Sequence, residues 1–133
     1  MAEETKTTPL KKILLVDDDP DLLLLLSKTI ESWGYEVIAV PSGKDAIGRA
    51  ASDKPDIVIM DYMMPGMDGI TALREIRKTD TKILAILFTV DLDSVPIKDT
   101  TDIDISTFIP KWYPETMLKT AIEMAVKKID DVE

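Results

Sequence analysis

Residues 57–69 read IVIMDYMMPGMDG, and this stretch decides the fold class. Its first four residues form a continuous apolar run, which is typical of a strand buried on both faces in a parallel sheet. Asp61 stands at the predicted end of the strand, and Pro65 with Gly66 marks a loop. Apolar residues at helical spacing follow from Ile70 onward. The stretch therefore predicts a strand, a loop and a helix in that order.

The same alternation of short apolar runs and helical patterns extends over most of the chain. Asp19 and Pro20 form a helix start, as N-cap and first helical residue, while Ser42 and Asp68 can cap later helices. Gly34 marks a helix end. We predict strands at 13–16, 36–40, 57–60, 83–88 and 107–109, with helices over 20–33, over 44–52, from 70 onward and over 114–129.

Strands that alternate with helices predict an α/β fold with a parallel sheet. The first and third strands are the most apolar, so we expect them at the centre of the sheet. The expected architecture is a doubly wound five-stranded parallel sheet in the flavodoxin-like order 2-1-3-4-5, with helices on both faces and right-handed crossovers.

The length of 133 residues suits one compact domain. We assign residues 10–129 to it, residues 1–9 to a disordered lead and residues 130–133 to a frayed tail. Residues 90–104 contain five aspartates and little helical periodicity, so we expect a short or irregular helix there with the aspartates in solvent. We interpret the leucine run at 22–26 as core packing.

The absence of two residue types excludes several kinds of chemistry. The chain has no Cys and no His, which excludes a disulfide, a thiolate nucleophile, a Ser-His-Asp triad and an ordinary zinc site. A net charge of −9 argues against direct binding of nucleic acid. No apolar run approaches the ~20 residues that span a membrane. We therefore expect a soluble, cytoplasmic protein without membrane insertion.

Polar residues follow four of the five predicted strands. Asp17 and Asp18 follow the first strand, Asp61 the third, Thr89 the fourth and Lys111 the fifth. Because parallel strands all end at one edge of the sheet, where ligands bind, these side chains should meet there. Clustered carboxylates need a counter-charge, and Mg²⁺ prefers such oxygen ligands. A carboxylate can also attack phosphorus to form an aspartyl phosphate, whose oxygens the cation, the ammonium and the hydroxyl would stabilise.

Four motifs occur along the chain in a fixed order: ILLVDDDPD at 13–21, IVIMDYMMPGMDG at 57–69, LFT at 87–89 and FIPK at 108–111. Together they resemble the receiver domain of bacterial and archaeal response regulators. The resemblance covers nearly the whole chain. A DD pair after a strand is common, but D-x-M-M-P-G-M-D-G in that position is specific, and the ordered set is more specific still.

The resemblance implies a phosphoacceptor with a bound Mg²⁺. Asp61 corresponds to the residue that is phosphorylated. Asp18 corresponds to a direct ligand of the metal ion, and Asp17 to a ligand that acts through water. The carbonyl of Met63 would be a further ligand of the same ion.

The resemblance also implies a conformational switch and a set of partners. Thr89 corresponds to the hydroxyl that moves toward the phosphoryl group, Lys111 to the lysine that pairs with that group, and Phe108 to the switch aromatic. The implied phosphoryl donor is a histidine kinase or a histidine phosphotransfer protein, and the implied output is an unknown downstream protein. Such a domain assists its own phosphorylation and dephosphorylation but is not a turnover enzyme.

Three features depart from the family pattern. Val90 stands where a small residue usually follows the switch threonine, and its β-branched side chain could narrow access to the acceptor. Trp112 follows Lys111 in place of the usual proline, so we expect a trans bond and a reshaped loop there. Residues 90–104 lack the usual helix, on a face that normally contacts partners.

Two other function classes compete with a stand-alone phosphoacceptor. A pseudo-receiver would keep the fold as a protein-binding module without being phosphorylated. An aspartyl-phosphate enzyme of the haloacid-dehalogenase type would place its nucleophile at Asp17 and leave Asp61 without a role. Phosphorylation of Asp61, or turnover of a phosphate ester, distinguishes the three.

Overall fold

The computed structural model describes residues 10–132, so the predicted disordered lead at 1–9 lies outside the described residues, as does residue 133. Short apolar runs form strands and amphipathic segments form helices, as the pattern predicts. The elements are β1 (Lys12–Val16), α1 (Pro20–Ser32), β2 (Glu36–Val40), α2 (Gly43–Asp53), β3 (Ile57–Asp61), α3 (Gly69–Thr79), β4 (Leu84–Thr89), β5 (Ile105–Pro110) and α4 (Glu115–Val132), with two short 3₁₀ turns, Leu92–Ser94 and Ile97–Thr100, between β4 and β5.

The five strands form one parallel sheet in the order β2-β1-β3-β4-β5, which confirms the predicted topology. The strand tips are aligned by the register. Val16 lies beside Met60, Asp61 beside Phe88, and Thr89 beside Pro110. The residues that follow β1, β3, β4 and β5 therefore emerge along one edge of the sheet.

Alternate side chains of the central strands enter two separate cores. One core lies between the sheet and the pair α1 and α4, around Ile13, Ile59 and Ile122. The other lies between the sheet and the pair α2 and α3, around Leu14 and Leu73. Both faces of the sheet are thus covered, which explains why β3 is apolar at every position before Asp61.

Three helix starts are capped by the residues that the sequence indicates. Oδ1 of Asp19 accepts the amides of Asp21 and Leu22, and Oδ1 of Asp68 accepts the amide of Thr71 at 2.8 Å. Ser42 Oγ caps α2 in the same way. These caps set the directions in which α1 and α3 leave the edge of the sheet at which the strands end.

Two predictions about α1 and α4 need correction. The leucine run is not packed into the core as a whole: Leu26 is buried, whereas Leu24 and Leu25 are 59% and 56% exposed. Consecutive helical residues point about 100° apart, so one face cannot bury five of them. The last helix continues to Val132, beyond the boundary at 129. Within residues 10–132, no helix has both the length and the apolar character needed to cross a membrane.

The connection from β4 to β5 is irregular, as predicted, and is fixed by two arginines of α3. Arg77 donates from Nε to the Ile103 carbonyl at 2.8 Å and from Nη2 to the Asp104 carbonyl at 3.0 Å. Arg74 forms an ion pair with Asp102 at 3.2 Å. All five aspartates of this connection are exposed, which confirms that they form a solvated face.

Candidate functional site

Asp61 is held at the tip of β3 by a very close approach of α3. Its carboxylate is 3% exposed, and Oδ1 accepts the amide of Met63 at 3.3 Å. The Gly69 amide donates to the Tyr62 carbonyl at 2.8 Å. A Cβ atom on Gly69 would lie 2.3 Å from the Asp61 carbonyl oxygen, so only glycine allows this contact. The loop after β3 thereby presents the carboxylate at the edge of the sheet.

Asp17 and Asp18 follow β1 at the same edge. Asp17 is 1% exposed; its amide donates to the Val40 carbonyl, and its Oδ1 accepts the amide of Asp19 at 2.9 Å. Asp18 is exposed. One carboxylate oxygen each from Asp17, Asp18 and Asp61 lies within 4.8 Å of the others. The structure therefore brings together the three acidic residues that the sequence singled out.

Lys111 enters this cluster from the tip of β5. Its backbone amide donates to the Thr89 carbonyl at 2.7 Å, and no peptide bond in residues 10–132 is cis. Its Nζ lies 2.6 Å from Asp17 Oδ2 and 3.1 Å from Asp61 Oδ2, with the side chain 12% exposed. The trans bond before Trp112 is thus compatible with a lysine that reaches both carboxylates.

Burial and charge change the acid strength of two groups in the cluster. The pKa of Asp61 is raised to about 6, mainly by burial; the charge of Lys111 opposes this rise and the charge of Asp17 adds to it. Burial lowers the pKa of Lys111, but hydrogen bonding and attraction to Asp17 and Asp61 outweigh it, so the net shift is upward. The cluster therefore holds more negative charge than its single ammonium balances.

The donor set fits a hard divalent cation. The cluster offers carboxylate oxygens from Asp17, Asp18 and Asp61, which are the ligands that Mg²⁺ prefers. Asp17 Oδ2 is buried, and the ammonium of Lys111 lies 2.6 Å from it. A buried carboxylate oxygen is stabilised by a positively charged partner, so this oxygen is suited to a cation.

Of the remaining predicted site residues, Met63 contacts Asp61 through its backbone amide, whereas no hydrogen bond or ion pair with Asp61 is found for Thr89 or Phe108 among the described residues. Thr89 is fully buried, and its hydroxyl accepts the amide of Asp91 at 3.4 Å. Phe108 is partly buried and packs against the core under α2 and α3. The side chains of Met63 and Val90 are 52% and 57% exposed. The roles of the Met63 carbonyl, of Thr89 and of Phe108 remain predictions.

Two features of the site escaped the sequence reasoning. The direct ion pair between Lys111 and Asp17 was not anticipated, because spacing along the chain does not tell which carboxylate a lysine tip reaches. The need for glycine at position 69 was also missed. A glycine directly after a capping aspartate, at the first position of a helix, was the available signal.

A family model described as the response regulator receiver domain matches residues 13–123. The chain belongs to the response regulator receiver domain family. The match spans the five strands, apart from the first residue of β1, and the first half of α4, so it includes every residue of the acidic cluster as well as Lys111. Receiver domains of this family are of the phosphoacceptor type and use Mg²⁺ in their acidic pocket.

This receiver domain is similar to proteins of differing length. It is 40% identical to the alkaline phosphatase synthesis regulatory protein PhoP of Bacillus subtilis, over 51% of this chain and 28% of that protein. It is 34% identical to protein PilH of Pseudomonas aeruginosa, over 62% of this chain and 69% of that protein. It is 27% identical to sporulation initiation phosphotransferase F of B. subtilis, over 85% of this chain and 91% of that protein. The receiver domain thus corresponds to under a third of PhoP but to most of the other two.

Solved structures show the same fold. The response regulator TrrA of Thermotoga maritima, solved in complex with Mg²⁺-BeF, has a TM-score of 0.80 and 28% identity, over 87% of this chain and 99% of that chain. A receiver domain from Clostridium thermocellum has a TM-score of 0.84 and 27% identity, over 93% and 100%. This chain therefore aligns with nearly the whole length of both solved structures.

Proposed function

We propose that this receiver domain accepts a phosphoryl group on Asp61, in an Mg²⁺-dependent reaction whose donor is a phosphohistidine of a kinase or a phosphotransfer protein. The observation that carries the proposal is the position of Lys111 Nζ between two carboxylates of the acidic cluster, 2.6 Å from Asp17 and 3.1 Å from Asp61. The cluster thus combines a nucleophilic carboxylate with a fixed cation for the phosphoryl oxygens.

The transfer exchanges one bond to phosphorus for another. An Asp61 carboxylate oxygen attacks phosphorus, the bond between phosphorus and the donor imidazole nitrogen breaks, and that nitrogen keeps the bonding electron pair. The Met63 amide on Oδ1 orients the carboxylate, and Lys111 compensates the charge of the phosphoryl oxygens. When bound, Mg²⁺ would neutralise charge shared by the carboxylates and the phosphoryl group.

We assign the further roles by position along the same edge. Asp18 would hold the metal ion directly, Asp17 would act through water, and the Met63 carbonyl would add a ligand. The Thr89 hydroxyl, on the strand beside Asp61, would turn toward the new phosphoryl group. Phe108, on the strand beside β4, would follow that movement and change the surface presented to a downstream partner.

We further propose that the domain works without an output domain of its own, as a phosphoacceptor and not as a turnover enzyme. This proposal rests on the similarity to sporulation initiation phosphotransferase F over 91% of that protein's length. Its partners would be a histidine kinase or phosphotransfer protein and a separate downstream protein, in the cytoplasm, with no direct contact to nucleic acid. Pull-down of the full-length gene product after phosphorylation tests this arrangement.

Intact mass spectrometry tests the phosphorylation. The protein is incubated with acetyl phosphate and MgCl₂, and we expect the mass of one phosphoryl group to be added. Asp61→Asn should abolish the addition, and EDTA should reduce it strongly. Asp56→Asn is a matched control, because Asp56 lies at the opposite end of β3 and binds the Lys12 amide. If the wild-type protein stays unmodified both with acetyl phosphate and with a phosphorylated histidine protein as donor, this result would favour the pseudo-receiver alternative.

A further inference from the structure

The loop after β3 exposes one methionine side chain beside the acceptor. Met63 is 52% exposed, whereas Met60 is fully buried and both Met64 and Met67 pack against the core under α2 and α3. The chain contains no Cys, so all of its sulfur atoms are methionine thioethers. A peroxide in solution therefore reaches the sulfur of Met63 more easily than any other sulfur of this loop, because oxidation of a thioether follows its exposure.

Residue 63 is also positioned directly at the acceptor. The amide of Met63 donates to Oδ1 of Asp61 at 3.3 Å, so the backbone at this position is in contact with the carboxylate that would carry the phosphoryl group. The side chain lines an open cleft of about 420 Å³, whose other lining residues are Tyr62, Met64, Pro65 and Asp68. Water and small solutes thus have access to the sulfur at the edge of the sheet where the acceptor lies.

Oxidation changes the chemistry of this side chain. A thioether is apolar and is only a weak hydrogen-bond acceptor. With hydrogen peroxide as the oxidant, the sulfur of Met63 attacks one peroxide oxygen and the O–O bond breaks. Sulfur loses two electrons and becomes the sulfoxide, while the departing oxygen takes up the protons and leaves as water. The sulfoxide oxygen is a polar acceptor, so the oxidised side chain can hold a water molecule in the cleft.

We propose that Met63 is an oxidation site that sets how long Asp61 keeps its phosphoryl group. This inference rests on the proposed function. When the phosphoryl group is lost, a water oxygen attacks phosphorus, the bond from phosphorus to the Asp61 oxygen breaks, and the carboxylate keeps the electron pair. The sulfoxide of Met63 holds water close to this reaction, whereas the thioether does not. Peroxide therefore shortens the lifetime of the phosphorylated state.

The phosphate lifetime before and after peroxide treatment tests the proposal. The protein is oxidised with hydrogen peroxide, freed of peroxide, phosphorylated with acetyl phosphate and MgCl₂, and followed by intact mass after the donor is removed. Peptide mapping measures the fraction of Met63 that is the sulfoxide. We expect the oxidised wild type to lose its phosphate about fivefold faster, which is the effect of one hydrogen bond of ordinary strength. Equal lifetimes with Met63 fully oxidised would overturn the proposal.

Leucine variants separate Met63 from the exposed methionines of α4. Met63→Leu keeps an apolar side chain of similar size without sulfur, so its phosphate lifetime should not respond to peroxide, whatever its value before treatment. The double variant Met117→Leu and Met124→Leu is the matched control, because these side chains are 46% and 67% exposed but lie outside the loop after β3. It should respond to peroxide as the wild type does. A peroxide effect that persists in Met63→Leu, or that disappears in the double variant, would contradict the inference.

Reversal of the oxidation provides a test with the wild-type sequence. Treatment of the oxidised protein with both methionine sulfoxide reductases should restore the original phosphate lifetime. A lifetime that stays short after Met63 is reduced would assign the effect to other damage and would sink the proposal. If the untreated wild type is never phosphorylated on Asp61, the proposed function fails and this inference fails with it. If it is phosphorylated but oxidation of Met63 leaves the lifetime unchanged, only this inference fails.

Discussion

At the scale of single residues, the chemistry of this receiver domain depends on Asp61, a carboxylate whose charged form is destabilised by burial. Asp61 is almost fully buried beside Asp17, and Lys111, with a smaller effect from the Met63 amide, opposes the resulting rise in its pKa. A buried, electron-rich carboxylate with too little counter-charge is a good ligand for a cation. The same residue is therefore expected to lower the stability of the metal-free protein.

The pH dependence of the free energy of unfolding tests whether Asp61 lowers the stability of the metal-free protein. Burial raises the pKa of Asp61 to about 6 in the folded protein, from its usual value near 3.8. Because the pKa of Asp61 is higher in the folded than in the unfolded protein, protonation favours the folded state. The contribution of Asp61 to stability is therefore fully present below about pH 3.8 and is lost as the pH rises through about 6. Without metal, we expect Asp61→Asn to be more stable than wild type by on the order of 1–3 kcal/mol near pH 7, with little difference near pH 4.

Urea unfolding of both proteins in EDTA, at several pH values, measures this difference. The asparagine variant stays neutral throughout, so the pH dependence of the difference reports the Asp61 carboxyl. A difference that stays constant between about pH 4 and about pH 7 would contradict the raised pKa.

Gly69 is the second residue on which the site depends. A Cβ atom there would lie 2.3 Å from the Asp61 carbonyl oxygen and 2.8 Å from Met60 Cγ. We expect Gly69→Ala to lower the free energy of unfolding by about 1–3 kcal/mol, because backbone must move, and to slow phosphorylation by acetyl phosphate. Gly48→Ala is the control: it is exposed within α2, has open space around it, and should stabilise by up to about 1 kcal/mol.

At the scale of elements, helix caps and apolar periodicity predicted α1, α2 and α3. The conformation of the β4–β5 connection, in contrast, depends on residues that are distant in the chain. Asp19 and Asp68 bind amides of the next helical turn, so their effect is local and readable from sequence. The connection is held by Arg77 of α3, which lies more than twenty residues away in the chain. Its conformation could not be predicted from local pattern.

Removal of the Arg77 guanidinium should release this connection. Arg77 donates to the carbonyls of Ile103 and Asp104, and also to that of Ile83, directly before β4. We expect Arg77→Met to cost about 1.5–3 kcal/mol and to speed amide hydrogen exchange over 97–104. Arg49→Met is the comparison, because Arg49 is an exposed side chain that pairs with Asp53, and its removal should change stability by less than about 0.5 kcal/mol. Equal effects of the two substitutions would refute a specific role for Arg77.

At the scale of the whole molecule, the fold gathers charges that lie up to 94 residues apart in sequence, from Asp17 to Lys111. The parallel sheet does this because its strands all end at one edge. A cation bound across the tips of β1 and β3 would tie these strands together only in the folded state. Metal binding should therefore raise the free energy of unfolding of the whole domain.

Thermal unfolding with MgCl₂ measures that effect. A ligand present at about 100 times its dissociation constant stabilises by about 2.7 kcal/mol, so we expect a clear rise in Tm that EDTA reverses. NaCl at the same ionic strength should give a smaller rise, by screening the net charge of −9. Asp17→Asn should reduce the rise caused by MgCl₂. Equal effects of the two salts would argue against a specific metal site.

The sequence alone determined the five strands, their order and the group of residues at the strand tips, because apolar periodicity and strand direction follow from local pattern. It also indicated the receiver family through Asp61 and the motif that follows it. Only the tertiary structure decided that Leu24 and Leu25 face solvent, that Arg77 holds the β4–β5 connection, and that Lys111 contacts Asp17 more closely than Asp61. These outcomes depend on distances between side chains from separate elements, which spacing along the chain does not contain.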